Sequence, residues 1–188
     1  MQPPESTTGF AHAPTIKTER VLLDHHHPED WEESAAMWAD PDVVRHIGGR
    51  ASSREESWAR LLRYAGMWPL LGFGYWCLRE RRTGRFVGEL GFADFKRDIS
   101  PALGDAPEAG WALASWAHGQ GFAREALTAA LSWADANIGQ RTVCMIDDGN
   151  VASINLARSC GYLPVQPASY RQTPTRIYAR VGEGPRGA

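Results

Sequence analysis

The sequence of 188 residues lacks a cysteine framework: Cys77, Cys144 and Cys160 are odd in number, far apart and set among apolar residues. This excludes a disulfide-stapled fold and points to a reducing compartment. Long apolar runs are also missing, since no segment approaches the roughly 18 apolar residues of a membrane span. The opening Met1-Gln-Pro-Pro-Glu-Ser-Thr-Thr has neither the basic start nor the apolar stretch of an export signal. The expectation is a cytoplasmic protein without membrane contact. No sign of charge dominates, because 20 Lys and Arg face 22 Asp and Glu for a formal net charge of −2. That balance removes the electrostatic case for bulk nucleic-acid binding, so any anion site must be local. His25-His26-His27 invites a metal reading. Adjacent residues of an extended chain face opposite ways, however, and no Cys or acid at ligand spacing supports them, so no metal is expected. Tryptophan is what the chain has in quantity, eight in all, which foretells aromatic-lined surfaces or a pocket.

Residues 1–14 hold three Pro and no apolar periodicity and read as a loose leader, and 182–188 reads as a loose tail. Residues 15–181 form one domain. Val21-Leu22-Leu23 is a short strand, and Pro28 to Ala39 is a helix with Trp31, Ala35 and Trp38 on one face. Val43 to Ile47 adds a turn or two. Ser53-Arg54-Glu55-Glu56 is a capping box opening a helix to about Ala65, with Trp58, Leu61, Leu62 and Ala65 as the inward face. Tyr75–Arg79 and Arg85–Phe92 make an antiparallel hairpin, followed by a loop from about Lys96 to Pro107 and a strand from Glu108 to Ser115. Phe122 to about Asn137 is an amphipathic helix ending at Gly139, and Thr142–Ile146 is a buried strand. Ser153–Ser159 is a short helix capped by Gly161, and Tyr162–Val165 and Ile177–Val181 are the last strands. The class is α/β or α+β around a mostly antiparallel sheet.

Chemistry concentrates in Glu108-Ala-Gly-Trp-Ala-Leu-Ala-Ser-Trp-Ala-His118-Gly119-Gln120-Gly121-Phe122-Ala123-Arg124-Glu125-Ala126. Two glycines one residue apart permit a sharp turn, and the helix that follows aims free N–H groups and its positive dipole end into that turn. This is an anion cradle. The plainer alternative is a glycine turn that merely joins strand to helix. A phosphate loop of the Walker type would need a closing Lys-Ser/Thr, and a dinucleotide fingerprint would need a small residue at Arg124 and an acid about 20 residues on. Neither is present.

The pattern polar-Gly-Gln-Gly-aromatic-Ala-x-Glu-Ala after a strand that begins with Glu108 resembles the cofactor motif of the GNAT superfamily, the acetyl-CoA-dependent N-acetyltransferases. Asn150-Val-Ala-Ser153 through Gly161-Tyr162 resembles that superfamily's next motif. Thr18-Glu19-Arg20-Val-Leu-Leu, with Asp40-Pro41-Asp42-Val43 and Gly48-Gly49, is similar to the ribosomal-protein-alanine N-acetyltransferase (RimJ/RimL-type) branch. The resemblance implies a GNAT-like fold: a twisted sheet of about six to seven strands with helices on both faces, splayed between its fourth and fifth strands, which here would be Glu108–Ser115 and about Arg141–Asp147. It implies acetyl-CoA as co-substrate, with pantetheine pairing to backbone at Leu113, Ala114 and Ser115 and pyrophosphate on Gly119, Gln120, Gly121, Phe122 and Ala123. His118 stands where the family commonly has Arg or Gln; it donates to phosphate or plays a solvent-exposed structural part. Asn150 would hold the cofactor, and Ser153 would lie near the thioester sulfur; both would also serve as helix caps in any protein.

The implied reaction is attack of an amine on the thioester. Because an amine is protonated at neutral pH, a base must take its proton, directly or through water. Glu108, Glu89 and water alone are the candidates, and Ser153 is the candidate donor to the leaving thiolate, since Ala157 stands where many members place a Tyr. Cys144 and Cys160 read as core thiols. Trp31, Trp38, Trp58 and Trp68 read as core, some of them near an acceptor pocket walled by the first two helices. The function implied is acetyl transfer to a primary amine, either a protein N-terminus or a small molecule, with dimers common in the branch. Transfer of another acyl group, or a silent module that only binds a CoA thioester, are the alternatives.

Overall fold

A computed structural model describes residues 10–139 and 141–182. Nine strands form one sheet: β1 (Ile16–Lys17), β2 (Val21–Asp24), β3 (Tyr75–Glu80), β4 (Phe86–Ala93), β5 (Ile99–Ser100), β6 (Glu108–Leu113), β7 (Thr142–Ile146), β8 (Leu163–Tyr170) and β9 (Thr173–Arg180). Their spatial order is β1-β2-β3-β4-β6-β7-β9-β8-β5. Every neighbouring pair is antiparallel except β6 and β7, which are parallel and joined through helix α4 (Phe122–Asn137). This is the GNAT fold that the motifs imply, with nine strands rather than six or seven. The two extra ones, β1 and β5, are each two residues long and too short to leave a periodic signal.

The sheet is covered on both faces. On one side Met37 and Trp38 of α1 (Trp31–Ala39) and Val43 and Val44 of α2 (Pro41–Val44) pack on Cys77, Phe86 and Ala112, while Tyr64 and Met67 of α3 (Arg54–Leu71) pack on Tyr75 and Ala93. On the other, Phe122, Ala126, Leu127, Ala130 and Leu131 of α4, with Ala157 of α5 (Val151–Ser159), pack on Val87, Leu90, Phe92 and Ala109. Strand β4 is therefore buried along its whole length, Glu89 included, and is otherwise made of apolar residues and glycine as a strand covered on both faces requires. Trp68 at the end of α3 reaches the second core and packs edge-on against Trp76 and Trp133, at 4.7 and 5.3 Å between ring centroids.

Helix α3 runs six residues past the expected Ala65. Pro69 sits in its last turn, and the helix closes at Gly72, whose φ of 76° is the left-handed terminating conformation. The inward face is also different from the expected one: Ser57, Leu61, Tyr64, Met67 and Trp68 are buried, whereas Leu62 is 52% exposed. Ser57 is tolerated inside because its hydroxyl donates to the Ser53 carbonyl at 3.0 Å. The last two strands are longer than expected and form a hairpin over Leu163–Tyr170 and Thr173–Arg180, turned by Arg171 and Gln172 at φ of 49° and 66°. In the segment read as a leader, Ala13 is buried and the Pro14 carbonyl accepts the Trp76 indole N–H at 2.8 Å. Residues 1–9 of that leader, and 183–188 of the tail, lie outside the described residues.

A lateral row Tyr75, Gly91, Gly110 crosses β3, β4 and β6 in register. Both glycines are required there. A Cβ on Gly91 would stand 2.2 Å from the Gly74 carbonyl and 2.4 Å from Tyr75 Cα, and one on Gly110 would stand 2.0 Å from the Tyr75 hydroxyl. Tyr75 thus lies across the sheet toward β6. Gly91→Ala is expected to lower unfolding stability by about 3 kcal/mol or more, because the obstructing atoms are backbone. Gly66→Ala, inside α3 with open space around it, should instead stabilise by about 0.5–1 kcal/mol. Urea unfolding of the two variants checks both signs.

Candidate active site

Strands β6 and β7 meet at Glu108 opposite Val143, where the Val143 N–H donates to the Pro107 carbonyl at 3.0 Å, and no later pair is in register. The outer edge of β6 stays paired with β4 from Glu108 to Leu113, and the outer edge of β7 stays paired with β9. Their inner edges therefore part into a V. The Trp111 indole N–H, donating to Ser153 Oγ at 3.2 Å, links β6 to the start of α5.

Leu113 and Ala114 stand at the end of β6, and Ser115 opens a short 3-10 turn that leads to His118. His118 Nε2 donates to the Leu113 carbonyl at 2.9 Å, which places the ring proton on that nitrogen and folds the side chain back on β6. Gly119 and Gly121 both adopt left-handed conformations, at φ of 71° and 84°. Gly121 is the residue before α4, so the first N–H groups of the helix, at Phe122 and Ala123, have no partner within it. Nothing lies within 4 Å of a Cβ built on Gly119, so the turn presents open backbone. On the far arm of the V, Asn150 Oδ1 accepts the Ser153 N–H at 3.1 Å and starts α5. Ala157 is fully buried.

Arg20 was not singled out by sequence reasoning, although it lies within the Thr-Glu-Arg motif. Its Nε donates to Glu125 Oε2 at 2.7 Å, its Nη1 to the Gln120 carbonyl at 2.9 Å, and its backbone N–H to Glu125 Oε1 at 2.7 Å. Thr18 Oγ1 adds a third bond to Glu125 at 2.6 Å. The glycine turn is thus tied to the sheet edge by a guanidinium that also places positive charge beside it. Burial alone would raise the Glu125 pKa, but the bonds from Thr18 and Arg20 outweigh it and hold the carboxyl below its ordinary value.

Glu108, at the apex of the V, is 6% exposed and held by a bidentate pair: Arg97 Nε donates to Oε2 at 2.6 Å and Nη2 to Oε1 at 2.8 Å. Arg97 Nη1 donates to the Tyr170 hydroxyl at 3.1 Å. Burial opposes the Arg97 charge, but Glu108 and Tyr170 more than offset that and raise its pKa. Arg97 escaped sequence reasoning because it sits 11 residues away in an irregular loop. Glu89 lies two strands from the V's far arm and is fully buried, with Ser34 Oγ and Trp38 Nε1 each donating to it at 2.7 Å. Its burial pushes the pKa up, yet the facing His26 ring, 3.5 Å away, and those two donors hold it below the ordinary value.

Tyr162 is buried against the Thr142 hydroxyl at 2.8 Å, and burial raises its phenol. Burial likewise raises the Cys77 and Cys144 thiols, as core cysteines require. Among the histidine run, His26 turns inward while His25 and His27 share a face with Asp24, their ligand atoms within 4.8 Å of one another. The adjacent Asp24 is an acid that the spacing argument left out.

An open cleft of about 590 Å³ is lined by Arg63 of α3, residues of the segment 95–100 and the hairpin tip 169–172, and it reaches Glu108 only through Arg97, which lines the cleft and binds that carboxylate. Trp31 and Trp58 lie elsewhere, beside Pro28 and Glu55, and Trp38 and Trp68 are core.

Residues 20–163 match the family model of the acetyltransferase (GNAT) domain. The uncharacterized protein YkkB of Bacillus subtilis strain 168 is 26% identical over 147 residues, 77% of this chain and 81% of its own. A structure from Bordetella pertussis, named as a GnaT-family acetyltransferase, superposes with a TM-score of 0.80 at 29% identity, covering 90% of this chain and 100% of that one. The structure of RimL, a ribosomal L7/L12 alpha-N-protein acetyltransferase in complex with coenzyme A, shares the fold at a TM-score of 0.73 and 16% identity, covering 90% and 99% of the two chains.

The Glu125 clamp predicts a pH signature. A carboxyl whose folded pKa is depressed contributes stability above its unfolded value and loses it as pH falls through the folded value. Glu125→Gln is therefore expected to cost about 1–2 kcal/mol at pH 7, discounted for the half-exposed Arg20 partner. The deficit should shrink toward zero below about pH 4. Denaturant midpoints of both proteins between pH 3 and 7 measure it.

Proposed function

The chain belongs to the GNAT acetyltransferase family, and from that premise we propose that this N-acetyltransferase moves the acetyl group of acetyl-CoA to a primary amine by direct attack in a ternary complex. The observation that carries this reading is the V between β6 and β7, with an unpaired helix N-terminus and two left-handed glycines at its mouth. The cradle fits an anionic cofactor. Backbone N–H groups of Gly119, Gln120, Gly121, Phe122 and Ala123 would hold a pyrophosphate, as bare helix N-termini do. The inner edge of β6 near Leu113, Ala114 and Ser115 would take an amide-bearing chain as an added strand. His118 and Asn150 flank the two arms. The neighbouring RimL structure, a complex with coenzyme A, supports the choice of cofactor.

Acetyl-CoA supplies an activated thioester. The protein's part is to bring the amine to it as a free base and to receive charge on the sulfur. Glu108, at the apex, is the proposed proton acceptor. Both its oxygens already accept from Arg97, so a proton reaches it either as one of those bonds lengthens or through a water that relays it. Glu89 is sealed from the V among Ser34, Trp38 and His26, and stands as the reserve. Ser153 Oγ accepts the Trp111 N–H, which leaves its own proton free to donate toward the sulfur. A CoA thiol with a pKa near 8.5 needs no more than that assistance. The amine acceptor is a protein N-terminus or a small molecule.

Thiol release from acetyl-CoA with a panel of amines and N-terminal peptides tests the reading. Release above blank with one acceptor class supports it, whereas cofactor binding without release for any amine favours a silent CoA-thioester module. Glu108→Gln should lower kcat/KM by about 10²-fold with little change in cofactor affinity, since general base catalysis is worth about 10²–10⁴. Near-normal turnover would assign the proton to water or Glu89. Gly121→Val should cost about 1–2 kcal/mol of stability through its left-handed backbone and, in the folded protein, abolish calorimetric binding of acetyl-CoA.

A further inference from the structure

The cleft over Arg97, the partner of Glu108, is strongly cationic in a chain whose net charge is −2. Its lining carries Arg63, Lys96, Arg97 and Arg171 against one carboxylate, Asp98. These charges are not equivalent. Arg97 is consumed by Glu108, and Lys96 by Asp94 at 2.6 Å. Arg63 and Arg171, by contrast, have no acidic partner within salt-bridge distance among the described residues. Both are held by aromatic rings instead: the Arg63 guanidinium lies 5.0 Å from the centre of Phe95, and that of Arg171 lies 5.3 Å from the centre of Tyr170.

A guanidinium stacked on a ring is oriented by its face, while its N–H groups point outward along its edge. Two such forks flank the cleft, one from α3 and one from the β8–β9 hairpin tip. Its floor, Arg97, is bonded to the proposed base Glu108 and to the Tyr170 hydroxyl. Arg171 is set in place by backbone as well as by stacking, since it and Gln172 turn the hairpin at positive φ. Both arginines are exposed, so these ring and backbone contacts are what restrict them. The lining is polar, and a cleft of about 590 Å³ has room for more than a simple alkylamine.

On these observations we infer that the cleft is an oxyanion-selecting acceptor site: the amine delivered to Glu108 belongs to a molecule that carries a carboxylate or phosphate, which Arg63 and Arg171 hold. The inference rests on the acetyl-transfer reading above for the fate of the amine, but not for the binding of the anion. Lys96 adds to the field without a fixed geometry, and Asp98 disfavours a second anion on its own side.

The test compares matched acceptors at saturating acetyl-CoA. The α-amides of L-glutamate and O-phosphoserine and a C-terminally amidated Ser-Glu-Glu peptide form the acidic arm; L-glutaminamide, L-serinamide and an amidated Ser-Gln-Gln peptide, which carry no carboxylate, form the neutral arm. The amino-acid amides and the peptides separate a small-molecule acceptor from a protein N-terminus, and the phosphate and carboxylate members separate the two oxyanions. At least one acidic member is expected to exceed its neutral partner in kcat/KM by about tenfold or more, with a preference that fades as salt rises. The double variant Arg63→Glu/Arg171→Glu should lose that preference through KM, at unchanged kcat and acetyl-CoA affinity. Equal use of neutral and acidic partners, or a preference that survives the double reversal, overturns the inference while acetyl transfer stands. Should no amine be acetylated although acetyl-CoA binds, calorimetry with the acidic members decides: binding abolished by the double reversal keeps the oxyanion site and rejects the transfer reading, and absence of binding rejects the site.

Discussion

One backbone pair decides the architecture of the site: Glu108 opposite Val143, after which β6 and β7 cease to pair. In the middle of a nine-stranded sheet, parting two strands leaves N–H and C=O groups on both inner edges without ladder partners. Such groups are tolerated only where water or a ligand meets them. The divergence is stable because each strand is fully paired on its outer edge and each has its own cover, α4 on one face and α1 to α3 on the other. The V is thus a consequence of sheet topology rather than of any single side chain, and α4, the crossover between the two strands, necessarily begins at its mouth.

The same apex fixes the electrostatics. Glu108 is nearly enclosed, and a carboxylate without partners there would be costly, so the bidentate bond from Arg97, which satisfies both its oxygens, is the contact its place depends on. Arg97 in turn is immobilised by Tyr170 from the hairpin tip and lies 4.5 Å from the centre of the Phe95 ring. A charge at the centre of the sheet therefore organises a loop and a hairpin that sequence separates by more than 70 residues. Glu89 illustrates the opposite solution. Its neighbours satisfy it completely inside the core, and it serves to join α1 to β4 through Ser34 and Trp38.

The parts of this arrangement that were legible in sequence are those with local causes. The bounds of α4 and β7 emerge from apolar period and the Gly139 stop, and the glycine turn and Asn150 cap follow from residue type alone. Of the expected inward face of α3, Leu61 is buried and Leu62 is not, while Ser57, a polar residue outside that expectation, is buried because its hydroxyl satisfies its own helix. Helix α3 extends past the expected Ala65 because Pro69, near its end, forfeits only one backbone bond and Gly72 is what ends it. Arg97, Tyr75 and Arg20 were missed for a different reason. Each acts on a residue brought near by sheet order, and no local spacing encodes that.

The division between cofactor side and acceptor side follows the same line. The elements that form the V and the glycine turn carry the motifs and so read clearly, and the fold they belong to is shared with a structure at 16% identity. The cleft is built from a loop, a hairpin tip and the outer face of α3, none of which the fold constrains beyond position. A fold that leaves its acceptor wall to irregular segments fixes the chemistry while leaving substrate choice to a few exposed side chains. In this chain those side chains are Arg63 and Arg171, 5.0 and 5.3 Å from the ring centres of Phe95 and Tyr170, and the inferred preference for an oxyanion rests on where those rings hold them.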